Sequence, residues 1–438
     1  MKTYKLTREF PTISVSHIGG YHLDAFCRKV FFEKLALLKV GKIDITEVFN
    51  ESYNHETKTF SFGQKNAAPE LTTHLTILKP SAYSRIALGG SIGSGESFRD
   101  KDWDVSSNEE LTNLVRIFVQ NRETLMALEK GIGSLVAPVQ KVLHKFRNNT
   151  IAGAKKNIHA HYDIGNDFFG LFLDSSWMYS SAIFKDKNST LLEGSIEKND
   201  RICRKLKLSA KDHLLEIGTG WGGFAVHAAR NYGCKVTTTT ISEEQYAFAC
   251  KRVQEENLGH LIEVLFKDYR LLDGKYDCLV SIEMIEAVGL NHLETYFEKC
   301  SSLLKENGVM LLQAISIQDQ YYEYARKNVD FIQTHIFPGA GIPSVGSIAS
   351  AVAKKTDMRV SHLEDFGTHY ARTLRFWSDN LKNNYAEMIK LGYPEELYRL
   401  WQFYFSYCEG GFLERSIGCM QVQLLKGRAE ANSLFDIE

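Results

Sequence analysis

Several things are missing from this chain of 438 residues. No apolar run approaches the ~18 residues that a bilayer-spanning helix needs, so any membrane contact is expected to be peripheral. No CxxC pair occurs. The eight cysteines (27, 203, 234, 250, 278, 300, 408 and 419) are scattered, several in apolar surroundings, which reads as reduced thiols and not as disulfides or a zinc site. An excess of charge is also lacking: the formal net charge is -1, and no global field argues for nucleic acid. Met1 to Phe10 is polar and charged, without the apolar stretch of an export signal, so the expected location is cytoplasmic. What remains is ordinary for a globular protein, with 44% hydrophobic and 24% charged residues. The length exceeds one ordinary core, and two domains are the default.

Residues 1–115 read as a separate small α+β unit. Asp24 to Val40 carries apolar residues at helical spacing (Phe26, Val30, Phe31, Leu35, Leu38). Short alternating segments follow at Lys42-Ile-Asp-Ile-Thr and Thr59-Phe-Ser-Phe. Gly89-Gly-Ser-Ile-Gly-Ser-Gly-Glu then reads as a turn-rich stretch leading to Trp103. Residues 116–156 read as a helical linker with a basic end (Lys141, His144, Lys145, Arg147, Lys155, Lys156). That cluster is either a solvated face or a contact for an anionic membrane surface.

Residues 157–438 form the third segment. From Asp212 strands and helices alternate, with strands expected at 213–217, 234–240, 262–266, 276–282 and 308–315 and helices such as Glu243 to Glu256 and His292 to Leu304. The expected fold class is α/β, a doubly wound and mostly parallel sheet with its ligand site at the carboxyl ends of the strands. An insertion at about 318–355 is rich in Tyr and Phe and is a candidate lid or pocket wall. Segments 359–366 and 419–425 read as the closing strands.

Leu214-Leu-Glu-Ile-Gly-Thr-Gly-Trp-Gly-Gly is the most informative stretch. An apolar strand enters a glycine-rich turn, and a helix follows from Phe224. Glycine admits positive φ and lets a ligand lie against main-chain N–H groups, as Gly218 and Gly220 would. A dinucleotide fingerprint begins in the same way. Glu216, two residues before the first glycine, is wrong for a pyrophosphate and suits the ammonium of an amino-acid ligand. The pattern resembles the first motif of class I S-adenosylmethionine (SAM) methyltransferases.

Three further segments narrow the reading. They are Ala160-His-Tyr-Asp-Ile-Gly-Asn-Asp-Phe-Phe with Leu173-Asp-Ser-Ser-Trp-Met-Tyr-Ser-Ser-Ala; Ser281-Ile-Glu-Met-Ile-Glu-Ala-Val-Gly; and Asp330-Phe-Ile-Gln-Thr-His with His369-Tyr-Ala-Arg-Thr-Leu-Arg-Phe-Trp. In this order they resemble the cyclopropane-fatty-acid synthases and mycolic-acid methyltransferases, from about residue 155 to the end. The Gly-Ser-rich stretch before Trp103 looks like the N-terminal lipid-binding domain of longer members. The resemblance implies SAM-dependent transfer to the cis double bond of an unsaturated phospholipid acyl chain. A carbocation forms, and a base removes a proton from the new methyl so that a cyclopropane closes. Such chemistry needs a dry apolar channel, aromatic faces and one well-held base.

In relatives that base is a bicarbonate ion. Carried over by motif, its ligands here are His161, Ser181 where the family has Cys, Glu286, Gln313, Ile315 through its backbone, and Tyr370. Taken singly, each also has a structural reading: a buried His is commonly satisfied by backbone, and a Glu at a strand end often caps a helix. For SAM, the resemblance points to Tyr179 and Ser180 beside Glu216, Gly218 and Gly220. The second strand ends Thr237-Thr-Thr-Thr-Ile-Ser without the acidic residue commonly used for the ribose. Family members use a Gln a few residues on, which makes Gln245 a candidate together with Thr240. Asp268 and Tyr269 fall where the adenine edge is met.

Exchange of Cys for Ser181 leaves ring closure open. Loss of a different proton, or addition of a hydride, would turn the same cation into a methyl-branched or methylene chain, or a furan-fatty-acid precursor. Two readings from other classes are a small-amine N-methyltransferase and a lipid-binding protein without catalysis. The N-terminal lipid-domain pattern argues against the first, and Gly218, Gly220 and Gln245 against the second. Relatives are often homodimers, although nothing in the sequence marks an interface. No metal is expected.

Overall fold

The structure, a computed structural model, describes residues 20–49, 57–64, 71–125 and 164–430. His161 and the basic cluster at 141–156 lie outside the described residues. Two compact units emerge, and they are not consecutive along the chain. The first gathers Met1–Val142, Asp330–Thr334 and Trp377–Glu414, and the second Leu143–Val329, His335–Phe376 and Arg415–Glu438.

In the first unit four strands, β1 (Lys42–Glu47), β2 (Lys58–Gly63), β3 (Thr72–Ile77) and β4 (Trp103–Val105), pair in the order β2-β1-β3-β4. Strand β1 buries Ile43 and Ile45 on one face, as its alternation requires. The stretch Gly89 to Glu96 corrects the expectation of turns: it lies within a helical segment, Ser81–Arg99, broken at Gly90 (φ 55°). Two of its glycines serve packing. A Cβ at Gly93 would run into the Arg85 carbonyl, and one at Gly95 into the Phe331 ring. Ser97 Oγ donates back to the Gly93 carbonyl at 2.7 Å and accepts from Trp103 Nε1 at 2.9 Å, so the serine is absorbed by the helix. Among the aromatics of the insertion, Phe331 is fully buried in this unit against Phe403, 4.7 Å between ring centres.

The second unit is built on seven strands in the order β10-β11-β9-β8-β5-β6-β7. They are β5 (His213–Ile217), β6 (Lys235–Thr240), β7 (Ile262–Phe266), β8 (Tyr276–Ile282), β9 (Leu304–Ile317), β10 (Met358–Asp365) and β11 (Ile417–Lys426). Strands β5 to β9 pair in parallel, whereas β11 runs antiparallel to β9 and to β10. Both faces are covered, so the strands read as apolar runs whose neighbours point to opposite sides. Leu215, Leu279 and Leu312 pack under the helices Leu293–Leu303 and Val345–Lys355. Leu214, Val280 and Leu311 pack under Leu191–Lys205 and Gly223–Tyr232. This topology brings the carboxyl ends of β5, β6, β8 and β9 to one edge, and the antiparallel β11 delivers its first residues there as well.

Candidate active site

Two regions occupy that edge. The first is the glycine turn. Past β5 the chain reverses with φ of 103° at Gly218, 52° at Gly220 and 80° at Gly222, and the helix Gly223–Tyr232 follows. The N–H groups of Gly218 and Thr219 both donate to the Thr239 carbonyl, at 3.1 and 3.0 Å, tying the turn to the end of β6. A Cβ added at Gly220 meets none of the described residues within 4 Å, so a ligand could lie against the main chain there. Thr240 Oγ1 donates to Gln245 Oε1 at 2.8 Å, and Ser242 caps the helix Glu243–Glu255 that carries Gln245. Tyr179 packs edge-on to Phe169 and Trp221 and lies 6.2 Å from Phe337. These groups present main chain, an amide and aromatic faces, a fit for SAM. Asp268, by contrast, is engaged by Arg270, whose Nε and Nη2 donate at 2.9 and 2.7 Å, and Tyr269 lies against Tyr296.

Glu216 is linked to the turn through Thr238, whose hydroxyl also meets Thr219 Oγ1 at 2.6 Å. It is buried on β5, and its Oε2 accepts from Thr238 Oγ1 at 2.6 Å. Burial raises its pKa to about 8, opposed by that hydrogen bond and by Lys198. Lys198, which the sequence reading passed over, is fully buried on the helix Leu191–Lys205. Its Nζ donates to Ser180 Oγ at 3.1 Å. Burial lowers it to about 8, while Glu283, Glu216 and Asp174 support the cation.

The second region is a cage around Glu283, the other residue that the sequence reading passed over. Glu283 follows β8 and holds φ at 51°, the left-handed region that non-glycine residues enter at a cost of about 1–2 kcal/mol. Its N–H donates to the Gln313 carbonyl at 2.8 Å. Its Oε1 accepts from the Ser181 N–H at 2.9 Å and from Gln313 Nε2 at 2.8 Å, with the Cys419 thiol at 3.7 Å. Its Oε2 accepts from the Tyr370 hydroxyl at 2.7 Å. Gln313 is aligned in turn by Gln421 Nε2, which donates to its Oε1 at 3.0 Å. Burial pushes the Glu283 pKa up, and Tyr370, Gln313, the Ser181 N–H and Lys198 pull it back towards the anion.

Glu286 stands beside it, one residue into the short helix Ile285–Val288. Its Oε1 accepts the Ile315 N–H at 2.6 Å, and its buried Oε2 has no hydrogen-bond partner among the described residues. Burial, followed by repulsion from Glu283, lifts its pKa to about 8. Glu283 collects three donors and Glu286 the Ile315 N–H, so of the two it is Glu286 that is disposed to hold a proton.

Ser181, Gln313 and Tyr370 thus converge through Glu283, while Glu286 and Ile315 pair with each other. The Ser181 hydroxyl takes no part, since it donates to the Ala182 carbonyl at 3.0 Å. A thiol does reach the centre, but from β11: Cys419, paired in register with Ile315. Glu283 was visible in the sequence as one of two acids three residues apart at a strand end. What singles it out, contacts from positions 181, 313, 370 and 419, is not local.

These donors also test the bicarbonate that the resemblance implies. The Ser181 N–H, Gln313 Nε2 and Tyr370 hydroxyl already serve a carboxylate, and the Ile315 N–H serves Glu286. Among the described residues the donor set does not fit a separate anion.

Residues 150–422 match the mycolic acid cyclopropane synthetase family. The chain is 32% identical over 367 residues to a tuberculostearic acid methyltransferase of Mycobacterium tuberculosis, covering 82% of this chain and 84% of that protein. It is likewise 32% identical over 366 residues to the cyclopropane-fatty-acyl-phospholipid synthase of Escherichia coli K12, covering 81% and 88%. A mycolic acid cyclopropane synthase solved with SAH and CTAB has a TM-score of 0.59 at 32% identity, covering 62% of this chain and 98% of that one. Coclaurine N-methyltransferase, at a TM-score of 0.56 and 20% identity, shares the fold.

Proposed function

The chain belongs to the mycolic acid cyclopropane synthetase family and is a SAM-dependent methyltransferase, and we propose that its acceptor is the double bond of an unsaturated phospholipid acyl chain. The observation that carries this reading is the pairing of a glycine turn with a carboxylate caged by buried donors on one sheet edge. An alkene needs no base to attack a methyl sulfonium, but the cation that results must lose a proton. A water-exposed site would quench that cation. Ser181, Gln313, Tyr370 and Cys419 are buried and Glu283 is half-buried among them, which suits the demand.

In this reading bound SAM supplies the methyl group. Gly218 and Gly220 cradle it by backbone, Gln245 and Thr240 meet the ribose side, and Ser180 and Tyr179 meet the methionine end. Lys198 orients Ser180. Tyr370 and Gln313 fix the carboxylate that faces the cation, and Glu286 remains neutral so that only one negative charge is buried there. No step runs through bicarbonate.

Cyclopropane formation is the first product reading. C-methylation without ring closure is the second, favoured by one observation: the anion is covalently tethered at Glu283, which restricts the hydrogens it reaches. Peripheral contact with an anionic membrane surface accompanies either reading, as a phospholipid acceptor requires; no helix among the described residues is long and apolar enough to cross a membrane. Incubating the purified chain with SAM and unsaturated phospholipid vesicles tests the reaction. Acyl chains heavier by one CH₂ support it, and unchanged masses refute it. Proton NMR then separates the products, because upfield ring signals appear for cyclopropane alone.

A further inference from the structure

Resting on the acyl-methylation reading, we propose that Glu283 is itself the general base of the reaction, built into the chain at the place of an exchangeable anion. Three independent observations point there. The first is saturation: both oxygens of one carboxylate collect the backbone N–H of 181, the amide of 313 and the hydroxyl of 370, from segments far apart in sequence. A carboxylate and a bicarbonate present the same planar pair of acceptor oxygens, so a cage that suits one suits the other. It cannot hold both.

The second is backbone geometry. Glu283 is held at φ 51° although it is not glycine, and its N–H is locked to the Gln313 carbonyl at 2.8 Å. Strained conformations of this kind persist where the surroundings over-determine them, and they gather at active sites. A side chain needed merely to fill space at the end of β8 would not require that conformation.

The third is charge placement. Lys198 is fully buried, without a carboxylate in hydrogen-bond contact among the described residues, and Glu283 is foremost among the anions that support it. The Cys419 thiol beside Oε1 is held far above its ordinary range by burial and by Glu283, so it remains a neutral donor. Together with a protonated Glu286 this leaves one negative charge, on the side chain with the most donors.

The proton accounting closes. Transfer of the methyl forms a C–C bond to one alkene carbon, breaks the S–CH₃ bond and leaves the other alkene carbon positive. Glu283 takes a proton from the new methyl, and the electron pair of that C–H bond closes the ring. Glu283 is then a carboxylic acid and releases its proton to solvent as product leaves. Removal of a different proton by the same carboxylate leaves an alkene instead.

The test uses the full chain, its Glu283→Gln and Glu283→Ala variants, SAM, unsaturated phospholipid vesicles and ¹³C-labelled bicarbonate. Wild type should show no saturable bicarbonate binding by ¹³C NMR. Glu283→Gln should lose roughly 10²- to 10⁴-fold in turnover, the range a general base contributes. Its SAM affinity by calorimetry should remain within about threefold, because the residue lies in the cage and not in the cofactor turn. Glu283→Ala frees the cage donors and should gain bicarbonate binding and, with it, part of the lost turnover. Saturable binding of bicarbonate by wild type, or near-normal turnover by Glu283→Gln, overturns the proposal. Should either variant fail to bind SAM and so prove misfolded, the wild-type binding result decides alone. Unchanged acyl masses with wild type would instead sink the acyl-methylation reading.

Discussion

The glycine turn and the Glu283 cage share one sheet edge and are built on opposite principles. The turn is made by removal: a Cβ at Gly220 would meet none of the described residues within 4 Å, so main chain can form the binding surface. The cage is made by addition, with four elements converging to satisfy a carboxylate that the chain already carries. A surface formed by main chain suits a cosubstrate that must arrive and leave at every turnover. An internal, saturated anion suits a group that only exchanges a proton. Preorganised charge of this second kind needs no reorganisation when the cation forms.

If that contrast is right, variants should separate into two phenotypes. The largest effect belongs to Glu283→Gln, whose turnover should collapse while SAM affinity persists. Glu286→Gln, by contrast, keeps the neutral side chain that position 286 is assigned, so turnover and SAM affinity should both stay within about threefold of wild type; a collapse of turnover with SAM affinity intact would show that Glu286 acts as a charged group.

That variant carries a pH signature too. The carboxyl rises from an ordinary 4.5 to about 8. Between those values the folded chain holds a proton that the unfolded chain has released, so stability falls as pH rises through this window. Glu286→Gln removes the slope. Its melting temperature relative to wild type should climb by at least about 2–4 °C from pH 5 to pH 8. A difference that is flat with pH would show that Glu286 is not held protonated.

Tyr370→Phe removes one donor to a charged acceptor, worth about 1.5–3 kcal/mol, and should slow turnover roughly ten- to a hundredfold without altering SAM affinity. An equal loss of SAM binding would place Tyr370 outside the cage account. Gly220→Ala should do the reverse, weakening SAM about tenfold or more in calorimetry, since the new methyl occupies the main-chain surface and takes on left-handed strain. Unchanged affinity would remove Gly220 from the cofactor site. Ser181→Cys should do least. The Ser181 side chain points at the Ala182 carbonyl and its N–H survives the change, so the product ratio by NMR should barely move. A large rise in the cyclopropane fraction would show that the side chain at 181 directs ring closure.

How much was legible beforehand follows the same division. Strands β5 to β9 were readable because strands buried on both faces appear as apolar runs, and the glycine turn because its constraint is local. Gly89 to Glu96 misled for a physical reason: glycine and serine are turn residues in isolation, yet here they let a helix approach Arg85 and Phe331 closely. Lys198 looked like any lysine on an amphipathic helix until burial placed it against Ser180. Glu283 sat inside a quoted motif and was overlooked in favour of Glu286. Its meaning comes from partners at 181, 313 and 370, none of which a window around β8 contains.

The central claim is that the base belongs to the chain. Initial rates of the wild-type protein, measured in buffer stripped of carbon dioxide and again after bicarbonate is restored, test it most directly. A built-in Glu283 predicts the same rate in both. A rate that disappears on stripping and returns with bicarbonate would contradict it.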